Sequence, residues 1–193
     1  MRAVPQHYRA LVLTGAVLGL RWSEAVGLRV RDVNFSAGTL TVAQTVEELA
    51  GAVRIVPYGK TRTSLRSMAL PPFLLAVLEE HARTRSHAGP TALLFVGPQF
   101  GILRRNFVKR VLRPACERAG LPPLTFHALR HIAITAMAEA GVPYNVTQAR
   151  AGHATAKMTL EVYSHRSTAA DRTAANALNH HLGDALSDVL KPP

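Results

Sequence analysis

Apolar residues at helical spacing open the chain and stop at a glycine. The stretch from Tyr8 to Leu20 is mostly apolar and predicts a buried helix that closes near Gly19. Ser23 can cap a second, short helix through the backbone amides left unpaired at its start. Arg21 is therefore expected at the junction between the two helices.

β-branched residues dominate the next part of the chain, between Thr39 and Leu70. Three runs separated by glycine and proline turn signals predict short strands. The predicted strands are Thr39–Val42, Val53–Val56 and Leu65–Leu70. We expect them to form a small antiparallel sheet, with Lys60 in the turn between the second and third strands.

The remainder is predicted to be helical. The predicted helices run from Phe73 to about Arg85, from about Arg104 to Ala119, from a Thr125 cap to Ala140, onwards from Pro143, and from Ala154 to Tyr163. A last helix, at about 168–190, carries one apolar stripe that must pack on this chain's own core or on a neighbouring protomer. The pattern predicts an α+β fold that is mainly helical, with a small three-stranded antiparallel sheet.

Composition narrows the classes of partner. The chain has 193 residues, 48% of them hydrophobic, and a net charge of +11. That length is enough for one domain with a substantial core. A strong positive field attracts polyanions, so nucleic acid is the leading candidate partner. A genome that favours arginine codons would give the same excess of charge without DNA binding.

Three further features of the sequence point to a reducing, non-membrane setting. The single cysteine, Cys116, cannot form an internal disulfide and is expected to be a buried, inert thiol. No stretch is apolar over a membrane-spanning length, and the first residues lack the layout of a secretory signal. We therefore expect a cytoplasmic protein without a membrane partner.

The helix that begins at Thr125 carries candidate chemistry on one face. Its predicted buried face consists of Leu129, Ile132, Ala133, Ala136 and Met137. His127, Arg130 and His131 fall on the opposite face, where a guanidinium fork and an imidazole suit one phosphate. A solvated helix face is the competing interpretation. The two histidines have zinc-pair spacing, but Ala128 stands where a glutamate is needed and Arg130 would repel a dication, so no metal site is expected.

Four other residues are candidates whose ordinary interpretations stay open. Lys60 is the first lysine of an arginine-rich chain, and unlike arginine it can serve as a general acid, although an exposed turn lysine is common. His153 follows a glycine and could be only a cap. Tyr163 could be a packing residue. Arg21 could simply form a salt bridge with Glu24, one turn later.

In this order the candidates resemble the catalytic domain of the tyrosine recombinases, the phage-integrase family. The resemblance is carried by Gly-Leu-Arg-Trp-Ser-Glu around Arg21, Gly-Lys-Thr at Lys60, Phe-His-Ala-Leu-Arg-His around Arg130, Gly-His at His153 and Tyr-Ser-His at Tyr163. It covers nearly the whole chain. It implies a site-specific recombinase of prophage or mobile-element origin that acts on attachment-site-like double-stranded DNA.

The resemblance also implies a role for each catalytic residue. Tyr163 would attack a phosphodiester to leave a 3'-phosphotyrosyl link, while Arg21, Arg130 and His153 hold the nonbridging oxygens. Lys60 would protonate the departing 5'-oxygen. His127 would assist proton transfer to or from the nucleophile and contact the phosphate. Because the covalent link conserves the energy of the phosphodiester, neither ATP, a metal nor another cofactor is implied.

Two departures from the family pattern leave alternatives. Only about twenty residues precede Arg21, so we expect the core-binding and arm-binding domains to be absent from residues 1–193. A truncated, non-catalytic DNA-binding remnant and a type IB topoisomerase-like activity therefore remain alternatives. Ala151 replaces the leucine common before Gly-His, a mild packing change. The resemblance implies a homotetramer on DNA, with a monomer as the free form, and the stripe at 168–190 could be exchanged between protomers.

Overall fold

A computed structural model describes residues 1–57, 65–85 and 89–152. The helices in these ranges are α1 Gln6–Leu18, α2 Trp22–Ala25, α3 Pro72–Arg85, α4 Arg113–Arg118, α5 Phe126–Glu139 and α6 Tyr144–Ala151. The strands are β1 Val33–Asn34, β2 Thr39–Val42, β3 Gln44–Leu49, β4 Ala52–Pro57 and β5 Arg66–Ala69. Short 3-10 turns at Val30–Asp32 and Pro98–Phe100 and a π-helical turn at Val108–Leu112 complete the described elements.

A three-stranded antiparallel sheet is present, with the order β1-β2-β5. Its register pairs Leu40 of β2 with Met68 of β5, and both side chains are buried in the core. The predicted strands at Thr39–Val42 and Leu65–Leu70 are therefore confirmed as neighbours. The prediction that Val53–Val56 joins the same sheet was wrong.

The stretch Val53–Val56 belongs instead to a separate hairpin of β3 and β4. Its register pairs Leu49 with Ala52, which leaves a two-residue turn at Ala50 and Gly51, both with positive φ (49° and 80°). Such tight turns match the twist of paired strands and favour pairing between neighbours in sequence. Sequence reasoning missed β3 because the adjacent Glu47 and Glu48 interrupt the alternation of apolar and polar residues that predicts a strand.

The helical packing brings together two helices that lie far apart in sequence. Helix α1 packs against α5, and Gly15 makes the contact possible because a Cβ at this position would lie 2.6 Å from Cζ of Phe126. Trp22 stacks on Phe107 with ring centroids 5.3 Å apart and meets Phe126 edge-on at 5.1 Å. This aromatic cluster anchors α2 and the start of α5 in one core.

Several helix boundaries follow the predicted signals. Helix α5 begins after Thr125, whose Oγ1 accepts a hydrogen bond from the Ala128 N–H at 3.0 Å. Helix α3 runs as predicted, and Pro143 occupies the position just before α6. Cys116 is buried, as expected. The helices predicted at 154–163 and 168–190 lie outside the described residues.

The predicted basic helix from about Arg104 to Ala119 begins later than expected, at Phe107, and changes pitch along its length. The π-helical turn passes directly into α4, with Pro114 at the start of α4. Proline lacks a backbone N–H and crowds the carbonyl four residues earlier, here that of Arg110. This loss of the ordinary hydrogen-bond partner accounts for the change of helical pitch at that point. Within the three described ranges, no helix is long and apolar enough to cross a bilayer.

Candidate active site

Helix α1 ends at Leu18, three residues before Arg21. Gly19 adopts a left-handed conformation (φ +66°), and its N–H donates to the Gly15 carbonyl at 3.1 Å. This conformation favours glycine because a side chain would be strained there. The predicted end of this helix near Gly19 is therefore confirmed, and the chain turns so that Arg21 precedes α2.

Arg21, not the predicted Ser23, occupies the capping position of α2. Glu24 reaches back to accept the Arg21 backbone N–H at 2.8 Å, and it also accepts from Arg21 Nη1 at 3.0 Å. A carboxylate bound to the amide at a helix start satisfies a donor that the helix leaves unpaired. The Arg21 side chain remains 40% exposed, whereas that of Glu24 is completely buried.

Glu24 is shared with a second arginine that sequence reasoning missed. Arg66 of β5 donates from Nη1 to Glu24 Oε1 at 3.0 Å and from Nη2 to Oε2 at 2.8 Å. Burial alone would raise the pKa of Glu24, but hydrogen bonding and charge from Arg66, and then from Arg21, lower it from 4.5 to about 2. No local pattern points to Arg66, because Glu24 lies 42 residues earlier in the chain.

Arg130 reaches the same region from α5. Its Nη1 donates to the Gly19 carbonyl at 2.7 Å, a contact across 111 residues of sequence, and only 1% of the residue is exposed. The prediction that Arg130 lies on the exposed face of α5 was wrong, and Ile132, predicted to be buried, is 47% exposed. The face that packs against the end of α1 includes Arg130 because the Gly19 carbonyl there offers a buried acceptor.

His127 lies one turn before Arg130 on α5 and is exposed. Its ring meets that of His131 edge-on, with centroids 4.7 Å apart. Although the residue is exposed, partial desolvation of its ring lowers the pKa of His127 below 6.5, and the positive charges of His131, Arg130 and Arg21 lower it further. Because charge effects of this kind fall off with distance, the imidazole and both guanidinium groups share one electropositive region.

The remaining candidates, Lys60, His153 and Tyr163, lie outside the described residues. The described residues end at Gly152, which is held in this region. Nη2 of Arg21 donates to the carbonyl of Gly152, the residue before His153, at 2.8 Å. The structure thus brings together three of the six predicted catalytic residues, Arg21, His127 and Arg130.

Comparison with known proteins identifies the family. The model of the phage integrase family matches residues 2–170. The chain belongs to the phage integrase family. Among its relatives, a putative prophage phiRv2 integrase of Mycobacterium tuberculosis is 29% identical over 180 residues, covering 92% of this chain and 48% of the relative. Tyrosine recombinase XerD of Corynebacterium glutamicum is 33% identical over 158 residues, covering 81% and 47%.

A solved structure shares the fold. The Tn1549 transposon integrase, in complex with circular intermediate DNA, superposes with a TM-score of 0.76 at 24% identity, covering 89% of this chain and 59% of that one. The predicted fold class, mainly helical with a small antiparallel sheet, is therefore confirmed for this phage integrase family member. The chain spans about half the length of the two curated relatives named above.

Proposed function

We propose that this chain supplies the catalytic domain of a site-specific DNA recombinase that cleaves and rejoins DNA through a 3'-phosphotyrosyl intermediate. One observation carries the proposal. The end of α1 and the start of α5 bring Arg21, Arg130 and His127 into one electropositive region. Guanidinium forks and an imidazole are suited to the oxygens of a phosphodiester. Membership of the phage integrase family supports this assignment.

In the proposed reaction, Tyr163 is the nucleophile. Its phenolic oxygen forms a bond to phosphorus while the bond from phosphorus to the 5'-oxygen breaks. Lys60 gives its proton to the departing 5'-oxygen, so that a free hydroxyl leaves. Arg21 and Arg130 bracket the nonbridging oxygens and stabilise the charge that grows on them in the transition state. Rejoining is the reverse, with a 5'-hydroxyl as the attacking group.

The two histidines have separate roles in the proposed reaction: His127 accepts a proton from the nucleophile, and His153 binds the phosphate. Because the pKa of His127 is lowered, its imidazole is neutral near neutral pH and can accept the phenolic proton of Tyr163. His153 donates to a nonbridging oxygen. The ester exchange conserves the energy of the phosphodiester, so the proposed reaction uses no ATP, metal or other cofactor.

The burial of Arg130 adds a step to this proposal. Only 1% of Arg130 is exposed, so a phosphate can contact its guanidinium only after the site opens. Arg21 is already 40% exposed on its side chain.

The proposed partner is attachment-site-like double-stranded DNA, bound by four protomers in the active complex, with a monomer as the free form of the protein. The net charge of +11 supports a polyanionic partner. The Tn1549 integrase, which shares the fold, was solved with DNA. We place the activity in the cytoplasm.

A covalent trap tests the proposed function. The protein is incubated with a random-sequence library of nicked suicide duplexes, in which the cleaved fragment diffuses away and rejoining is blocked. We expect an adduct of protein and DNA that survives denaturing electrophoresis. Tyr163→Phe removes only the nucleophilic oxygen and should abolish the adduct while leaving the gel shift unchanged.

The outcomes separate the proposal from its alternatives. An adduct that persists in Tyr163→Phe would reject the proposed nucleophile. A salt-dependent gel shift without any adduct would favour a DNA-binding remnant. Relaxation of a supercoiled plasmid without strand exchange between duplexes would favour a topoisomerase-like activity.

A further inference from the structure

Arg66 connects three parts of the fold through one side chain. In addition to its two bonds to Glu24, its Nε donates to the Arg150 carbonyl, in the last turn of α6, at 2.9 Å. The Arg66 side chain is only 9% exposed. Its guanidinium therefore joins β5 to α2 and to the end of α6 with three hydrogen bonds in a nearly dry environment.

Gly152, just after α6, fits closely against the same guanidinium. A Cβ at Gly152 would lie 2.7 Å from Nη1 and 2.8 Å from Cζ of Arg66, and the residue has φ +65°. Its carbonyl accepts from Arg21 Nη2 at 2.8 Å. Two arginines that both bind Glu24 therefore hold the end of α6. Arg66 donates to the Arg150 carbonyl, and Arg21 donates to the Gly152 carbonyl.

We propose that Arg66 is a positioning residue that fixes Arg21 and the C-terminal end of α6 relative to each other. It acts through Glu24 on Arg21, and through the Arg150 carbonyl on the chain that continues into His153. The inference rests on the proposed function, because it assigns Arg66 to the alignment of groups that would contact the phosphate. Arg66 itself does not touch the reacting atoms.

The chemistry of the contacts calls for arginine at this position. The Nε, Nη1 and Nη2 atoms donate in one plane to two carboxylate oxygens and one carbonyl. A lysine ammonium is a point charge on a flexible chain, so it could balance the charge of Glu24 but could not reproduce the three bonds together. Arg66→Lys therefore keeps the ion pair and loosens the geometry.

The test compares Arg66→Lys with a matched control. Arg83→Lys makes the same exchange in α3, where Arg83 pairs with Glu80 on the surface and the two side chains are 72% and 61% exposed. Three quantities are measured: the rate of adduct formation on a nicked suicide duplex, the affinity for the same duplex by gel shift, and hydrogen exchange of the protein without DNA.

For Arg66→Lys we expect adduct formation about 10- to 100-fold slower, because a small misplacement of catalytic groups has effects of that size. The affinity for DNA should stay within about threefold, since the Arg66 side chain is buried and its donors are bonded to Glu24 and the Arg150 carbonyl. Amides at 148–152 should exchange about tenfold faster, and those of α1 should be unchanged. Arg83→Lys should match the wild type in all three measurements.

The outcomes distinguish the two proposals. Wild-type rate and wild-type exchange at 148–152 in Arg66→Lys would overturn the positioning role. Faster exchange throughout α1 as well would also overturn it, because Arg66 would then support the fold in general. If the wild type forms no adduct, the proposed function fails. Faster hydrogen exchange confined to 148–152 in Arg66→Lys would still support the role of Arg66 in holding the end of α6.

Discussion

Replacing Glu24 by glutamine removes the negative charge that two arginines share inside the protein. The Glu24 side chain is completely buried and binds both Arg21 and Arg66. Glutamine has nearly the same shape but is neutral, so both guanidinium groups lose their counter-charge. Removing one partner of a buried ion pair costs about 3 to 5 kcal/mol. We expect the lower end, because Arg21 is 40% exposed and keeps part of its hydration.

The pKa of Glu24 leads to a similar magnitude and fixes its pH dependence. Arg66 and Arg21 outweigh the effect of burial and lower this pKa from 4.5 to about 2. Each tenfold change in proton affinity corresponds to about 1.4 kcal/mol, so ionised Glu24 stabilises the folded state by about 3 kcal/mol. Since the folded pKa lies below the unfolded one, this stabilisation is complete above pH 4.5 and disappears as the pH falls to about 2.

Urea denaturation of the wild type, Glu24→Gln and Glu47→Gln checks this prediction. Near neutral pH, Glu24→Gln should lower the free energy of unfolding by about 3 kcal/mol, and near pH 2.5 the difference should fall below about 1 kcal/mol. Glu47 is 48% exposed in its pair with Arg54, so Glu47→Gln should change stability by less than about 0.5 kcal/mol. A Glu24→Gln difference that does not vary with pH would refute the reasoning.

Three more predictions concern packing, titration and chemistry. Gly15→Ala puts a Cβ 2.6 Å from Phe126 Cζ, so it should lower the melting temperature of the protein. Adding Phe126→Leu to this variant should restore part of the loss. An unchanged melting temperature in Gly15→Ala would contradict the α1–α5 contact. In an NMR titration the pKa of His127 should lie below 6.5 and should rise in His131→Gln, because the charge of His131 is removed. A His127 pKa that is the same in the wild type and in His131→Gln would exclude electrostatic coupling between the two rings. Lys60→Arg should stop cleavage of ordinary DNA and recover it on duplexes with a 5'-bridging sulfur, which leaves without a proton. Absence of that recovery would count against Lys60 as the acid.

Local signals were sufficient to predict much of the fold. Thr125 caps α5 as expected, and the apolar run that forms α1 stops at Gly19. These features depend on a few adjacent residues, and a side chain that binds a nearby amide or a glycine with positive φ has the same effect in most contexts. The ordered motifs that contain Arg21 and Arg130 were also enough to suggest the family.

The errors arose where distant parts of the chain decide the outcome. Arg130 is buried because the Gly19 carbonyl, 111 residues away in sequence, accepts its hydrogen bond. Arg66 has partners 42 and 84 residues away, so nothing near it in sequence distinguishes it from a surface arginine of a basic protein. Helical periodicity assigns faces by polarity, and it fails for a charged residue whose partners are supplied by another element.

Peptide mapping of the trapped complex tests the central claim most directly. After the covalent complex with a suicide duplex is digested with nuclease and trypsin, mass spectrometry locates the remaining nucleotide. Cleavage after Lys157 and Arg166 yields a peptide that contains Tyr163 as its single tyrosine. The proposed mechanism predicts a nucleotide linked through its 3'-phosphate to Tyr163 in this peptide. A nucleotide on any other residue, or a link through a 5'-phosphate, would contradict it.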